Sequence, residues 1–171
     1  MPSGDAVYDC PKVSNDPIGI TQHSTIRDSE IRLWVYQHFV DTGRAPSPVE
    51  IAAHFQLTPG DVENCLRRLQ DEADALVLLP GTPYIWMAEP FSAVPTSFMV
   101  RSGTRAWWAN CIWDALAVLA LVGTKGSVST ACPHSGQPLV VSATLRGLEE
   151  AQGIVHFAVP ARDWWRYIGF T

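Results

Sequence analysis

The sequence predicts an α+β chain in which three helices and a hairpin come first, followed by a small sheet packed on a buried central helix. Three observations predict it. Helix-start signatures occur at Thr25, Ser47 and Thr58; two β-rich runs flank Pro80-Gly81-Thr82-Pro83; and an apolar stretch from Trp107 to Val122 stops at Gly123. The 171 residues are 47% hydrophobic and 17% charged, the balance of a globular chain long enough for a core. With a formal net charge of −5, bulk electrostatics attract neither nucleic acid nor an anionic membrane, so neither partner is expected.

Residues 1–24 hold Pro2, Pro11, Pro17 and Gly19 without sustained periodicity, which predicts an irregular arm carrying Cys10. No basic segment followed by an apolar run reads as a secretory signal, and Ala115 to Val122 falls far short of the ~20 residues that span a bilayer. A soluble, cytoplasmic protein is therefore expected. Its four cysteines, Cys10, Cys65, Cys111 and Cys132, have no C-x-x-C spacing and would stay thiols in a reducing cytosol.

Residues 25–88 form the first domain. Thr25-Ile26-Arg27-Asp28 reads as a capping box ahead of a stripe of Ile31, Trp34, Val35, His38 and Phe39 that ends at Gly43. Ser47-Pro48-Val49-Glu50 and Thr58-Pro59-Gly60-Asp61 each offer a cap, a proline at the first helical position and an acid three residues after the cap. Ile51, Ala52 and Phe55 mark the inner face of the second helix; Val62, Cys65, Leu66 and Leu69 mark that of the third. Ala75 to Leu79 and Tyr84 to Met87 then pair around the Pro-Gly-Thr-Pro turn. Three helices and a hairpin make a winged-helix-like unit, which elsewhere reads DNA through its third helix. Here that helix sets Arg67 and Arg68 among Asp61, Glu63, Asp71, Glu72 and Asp74, a poor match to phosphate, so a structural or lid role is favoured.

Glu89-Pro90-Phe91-Ser92-Ala93-Val94-Pro95-Thr96 reads as a linker, residues 89–96, and residues 97–171 as a second, α+β domain. In it, β-like segments at Ser127 to Ala131 and Leu139 to Thr144 are joined by the turn Cys132-Pro133-His134-Ser135-Gly136-Gln137-Pro138. Ile154 to Val159 predicts a further strand, and Trp164 to Phe170 the start of another.

Chemistry concentrates in the central stretch. Cys111 and Asp114, three residues apart, fall on one face of a helix within reach of a common small ligand. Desolvation would raise the carboxyl pKa and keep a proton ready near neutral pH. The alternative is that Asp114 bonds a neighbouring backbone amide while Cys111 packs as a small hydrophobe, and spacing does not decide between them. Cys132 and His134 have only C-x-H spacing, which does not make a structural zinc site of four ligands. Trp107, Trp108, Trp113, Trp164 and Trp165 are equally suited to line an apolar pocket or to fill a core.

In order, the winged-helix-like region, the Glu-Pro-Phe-Ser linker, Cys-x-x-Asp at Cys111 and Asp114 in an alanine- and leucine-rich helix, and the Cys-Pro-His-Ser-Gly-Gln-Pro turn resemble the organomercurial (alkylmercury) lyase family from about residue 25 onward. The resemblance implies protonolysis of carbon–mercury bonds, giving hydrocarbon and Hg(II). Cys111 would hold mercury transiently, and Asp114 would accept the thiol proton and then donate it to the leaving carbanion. A soft metal suits a thiolate. Trp108, Trp113 and Cys132 are the pocket residues this implies. No bound cofactor is needed, with an exogenous thiol carrying Hg(II) away.

The family's second catalytic cysteine follows a strand that Trp165 to Thr171 resembles, where the sequence stops. A one-cysteine version is expected to be slow or inactive unless Cys10, Cys132 or residues beyond Thr171 complete the site. Two other functions remain open. One is a lyase-fold homologue that binds a soft metal or small molecule without mercury lyase activity; the other is a winged-helix transcriptional regulator. A homodimer formed through an unpaired sheet edge is a further expectation.

Overall fold

The computed structural model describes residues 22–71, 75–144, 146–149, 154–157 and 159–168. The fold is α+β, as the sequence predicts. Three helices come first: α1 (Gln22–Thr42), α2 (Pro48–Phe55) and α3 (Pro59–Asp71). Eight strands follow, β1 (Val77–Leu78), β2 (Ile85–Ala88), β3 (Phe91–Ser92), β4 (Met99–Ser102), β5 (Arg105–Ala109), β6 (Gly126–Ala131), β7 (Pro138–Thr144) and β8 (Gly147–Leu148). Between β5 and β6 runs α4 (Ile112–Val122), and a 3₁₀ helix covers Ala161–Tyr167. Among the described residues no helix is long and apolar enough to cross a membrane.

The caps of α2 and α3 form where the sequence places them. Ser47 Oγ accepts the Glu50 amide at 3.2 Å while Glu50 Oε2 accepts the Ser47 amide at 2.7 Å. Thr58 and Asp61 do the same at 3.2 and 3.3 Å. The first helix differs: α1 begins at Gln22, upstream of the expected Thr25 cap, and Asp28 binds Arg68 of α3 at 2.7 Å in two bonds. A bidentate guanidinium from another helix takes the carboxylate that a local capping box would have used. Ile31, Val35 and Phe39 of α1 are buried with Ile51 of α2 and Val62, Cys65, Leu66 and Leu69 of α3, as their spacing requires.

The hairpin forms, with Leu79 N donating to Tyr84 O at 2.8 Å across the Pro80 to Pro83 turn. It does not stand apart, however. All strands belong to one antiparallel sheet in the order β1-β2-β3-β5-β4-β6-β7-β8. The segment read as a linker carries β3, which bonds β2 on one side and β5 on the other. The sheet is thus larger than expected and runs through both halves of the chain. Gly43, at φ +76°, closes α1 and lies so near the Ala106 carbonyl of β5 that a side chain there would collide with backbone. Close by, the Trp107 indole Nε1 donates to Phe39 O at 2.8 Å, seating α1 on β5.

Trp107 to Asn110 correct the expected central helix. Residues 105–109 are strand, and α4 begins only at Ile112. Alternation explains this: Trp107 and Ala109 are buried, whereas Trp108 between them is half-buried on the other face. Nor is α4 buried all round. Ala115, Val118 and Leu119 enter the core, while Trp113 and Leu121 are 59% and 55% exposed. Gly123, at φ +65°, ends the helix by donating its amide to Leu119 O.

Two further expectations are corrected near the carboxyl end. Ile154 to Phe157 are not strand, and the aromatic run opens as the 3₁₀ helix Ala161–Tyr167 instead of a strand. Pro160 caps this turn and lacks a donor for a strand ladder, and the Trp164 indole donates to Val159 O at 2.9 Å, curling the chain back on itself. Cys10 and Thr171 lie outside the described residues, as does the side chain of Trp165.

Candidate active site

The end of β5 delivers Asn110 and Cys111 to the start of α4. Cys111 is the N-cap, with extended backbone at φ −145° and ψ −179°. Its carbonyl accepts the Ala115 amide at 2.9 Å, and its Sγ accepts the Asp114 amide at 3.4 Å. Sulfur therefore fills the place that a serine or threonine oxygen usually takes at a helix start. Asp114 follows in the first turn, so the thiol and the carboxyl face each other, although Cys111 is not inside the helix as its spacing suggested.

Cys111, Asp114, Asn110 and Glu89 line a cavity of about 30 Å³, which Phe157, Trp164 and Ile168 close from the carboxyl-terminal segment. No cationic side chain is among these lining residues. The titrating groups are all displaced upward. Burial pushes the Cys111 thiol up to about 11; the Asp114 charge adds to this, and the amides of Asp114 and Trp113 oppose it. Burial also raises the Asp114 carboxyl above its ordinary range, against bonds from Asn110 and Cys111 that favour the charged form. Glu89 is raised first by burial and then by the charge of Asp114.

A raised carboxyl beside a thiol can take a proton from sulfur and return it to a bound ligand. Asn110 supports the carboxyl from the strand end. Its Nδ2 reaches Phe91 O at 3.5 Å, while its Oδ1 is buried with no hydrogen-bond partner among the described residues.

Phe157 and Trp164 also line a neighbouring open cleft of about 540 Å³, completed by Trp113, Val159, Pro160 and Ala161. Thus the structure brings Cys111 and Asp114 into one cavity and sets Trp113 in the adjoining cleft. Trp108 and Cys132 line neither space. Cys132 sits in the β6–β7 turn, where its amide donates to Gln137 O at 2.9 Å. The Ser135 hydroxyl and the amides of Ser135 and His134 hold its thiol below the ordinary value. Among the described residues no three of His, Cys, Asp and Glu gather as a metal site.

Sequence reasoning missed Glu89, Asn110, Phe157 and Ile168 as cavity residues. One signal was available for Glu89: it is a lone charge between Ala88 and Pro90-Phe91, and both Ala88 and Phe91 prove fully buried.

Residues 91–170 match the alkylmercury lyase family. The match includes Cys111, Asp114 and the Cys132 turn, and it leaves out α1, α2, α3 and Glu89. The fold is also similar to that in a crystal structure of the mercury-bound form of MerB2, with a TM-score of 0.55 at 17% sequence identity. That similarity covers 71% of this chain and 59% of the other, so the chain spans about three fifths of the length of that neighbour. No curated protein matches the sequence.

Proposed function

We propose that the chain is organomercurial-lyase-like and breaks carbon–mercury bonds by protonolysis at Cys111 and Asp114. The observation that carries this reading is the pairing of the Cys111 thiol with a raised, cation-free carboxyl at the mouth of α4, in a cavity beside an apolar cleft. The substrate enters as an alkyl- or arylmercury bound to a small thiolate. Asp114 takes the Cys111 proton, Cys111 sulfur bonds mercury, and the small thiolate leaves. Asp114 then gives its proton to the carbon, which departs as hydrocarbon with the electron pair of the broken bond. Mercury remains on Cys111 as Hg(II). The released thiolate and one further thiol remove it, and the proton of that thiol returns to Cys111. The balance is one thiol consumed per hydrocarbon released, with Hg(II) leaving between two small thiolates. Among the described residues Cys111 is the one thiol lining the cavity, so in this reading the second sulfur on mercury comes from the exogenous thiol of the cytoplasm.

The test is benzene release from phenylmercury by the purified chain with excess reduced thiol, using Cys111→Ser as the blank. Release that depends on Cys111 is expected. Release no greater than the blank would overturn the reading. A second reading, a lyase-fold protein that binds a soft metal without turnover, is favoured by Cys111 being the one thiol that lines the cavity among the described residues. It predicts stoichiometric Hg(II) binding without hydrocarbon. The regulator reading draws no such support: Arg67 is held by Glu63 and Arg68 by Asp28, both at 2.7 Å.

A further inference from the structure

We infer that the Trp113–Trp164 cleft is the seat of the substrate's organic group and selects flat aromatic groups over methyl, with Trp113 as the specificity-determining residue. This rests on the proposed lyase reading and adds to it what the second, larger space is for. The division of volume leads to it. The space beside Cys111 is about 30 Å³ against about 540 Å³ in the adjoining cleft, so a ring carried on mercury finds its room in the cleft. The two residues shared by cavity and cleft, Phe157 and Trp164, mark its way there.

The cleft it enters holds about 540 Å³, a volume typical of small-molecule pockets, and is lined by apolar and aromatic side chains. The Trp164 ring is fixed on two sides, by its bond to Val159 O at 2.9 Å and by the Phe157 ring, 5.2 Å away at 42°. Trp113 also lines the cleft, next in sequence to Asp114 and two residues from Cys111, with 59% of its surface exposed. An exposed indole that lines a cleft gains most from a ligand that offers it a ring face, whereas a methyl group covers little of it.

The experiment is a competition for Cys111 on the full chain. Phenylmercury and methylmercury, each supplied as its glutathione adduct in equal excess, compete for the protein, and each is quantified as its Cys111 adduct by intact-mass spectrometry plus its released hydrocarbon by gas chromatography, with Cys111→Ser as the blank. Relative to the ratio on free thiol, the wild type should favour phenyl roughly tenfold. Trp113→Ala should lose most of that preference, and Trp113→Phe, which keeps a ring and guards against misfolding of the alanine variant, should retain part of it. A wild-type ratio equal to that of free thiol, or one unchanged in Trp113→Ala, would overturn the inference. The two claims fail separately. Selective adducts without benzene release would sink only the lyase reading, whereas benzene release without selectivity would sink only this one.

Discussion

The described residues contain two thiol–carboxyl pairs, and they differ in what surrounds the carboxyl. In the helical region, Cys65 of α3 donates to Asp28 of α1; in the sheet region, Cys111 faces Asp114. Both thiols are pushed up, Cys65 to about 12 and Cys111 to about 11, in each case chiefly by burial. The carboxyls go opposite ways. Burial would raise Asp28 too, but its bonds to Arg68 and Cys65 and the Arg68 charge outweigh it and hold the group below its ordinary value. Asp114 has bonds from Asn110 and Cys111 but no guanidinium in its cavity, and it stays raised. Cys65 is also 2% exposed inside a packed core, whereas Cys111 opens on a cavity. Proximity of sulfur to carboxyl is therefore not what distinguishes the two pairs. The missing guanidinium and the adjoining space are.

The sharpest way to break this comparison is to neutralise each carboxyl. Asp114→Asn removes the proton carrier and should cut Cys111-dependent benzene release by about 10²- to 10⁴-fold, while Asp28→Asn should leave it nearly intact. Equal losses in the two variants would erase the distinction.

Stability should respond in the reverse sense. Asp28 binds its proton less tightly in the folded chain, so its contribution is present above its ordinary value of 3.8 and is lost as pH falls through the lower folded value. Asp114 binds its proton more tightly when folded. Its contribution is complete below 3.8 and is lost as pH rises through the folded value. Thermal unfolding at pH 7 should therefore show Asp114→Asn above the wild type, with the gap closing in acid. Arg68→Met should lie below the wild type by about 1–2 kcal/mol, a figure discounted because the arginine is partly solvated. A destabilised Asp114→Asn at pH 7 would mean that this carboxylate is compensated after all.

The smallest effect is a ranking of thiol reactivity. Peptide-resolved alkylation by iodoacetamide at pH 7 should modify Cys132 first, Cys111 roughly tenfold or more slowly, and Cys65 only on unfolding. Cys111 reacting ahead of Cys132 would show that its thiolate is stabilised, contrary to the electrostatics of the cavity.

Much of this was legible in the residues. Ser47/Glu50 and Thr58/Asp61 are short-range devices, so local reading finds them, and Gly123 ends α4 for the same reason. The Cys111 and Asp114 pair was visible as spacing, although the register was shifted: Trp107 to Ala109 are apolar in either a helix or a strand, and pairing with β3 and β4 chose the strand. Asp28 shows the same limit in the other direction, because its partner Arg68 lies 40 residues away.

By itself, then, the sequence determined the α+β class, the caps, the hairpin and the thiol–carboxyl spacing, all of which depend on neighbours within a few residues. Only the tertiary structure decided that one sheet joins both halves, that Glu89 reaches the cavity, and that Phe157 and Trp164 line it. Those outcomes depend on which distant surfaces meet when apolar area is buried, and burial without a counter-charge is what sets Asp114 apart from Asp28.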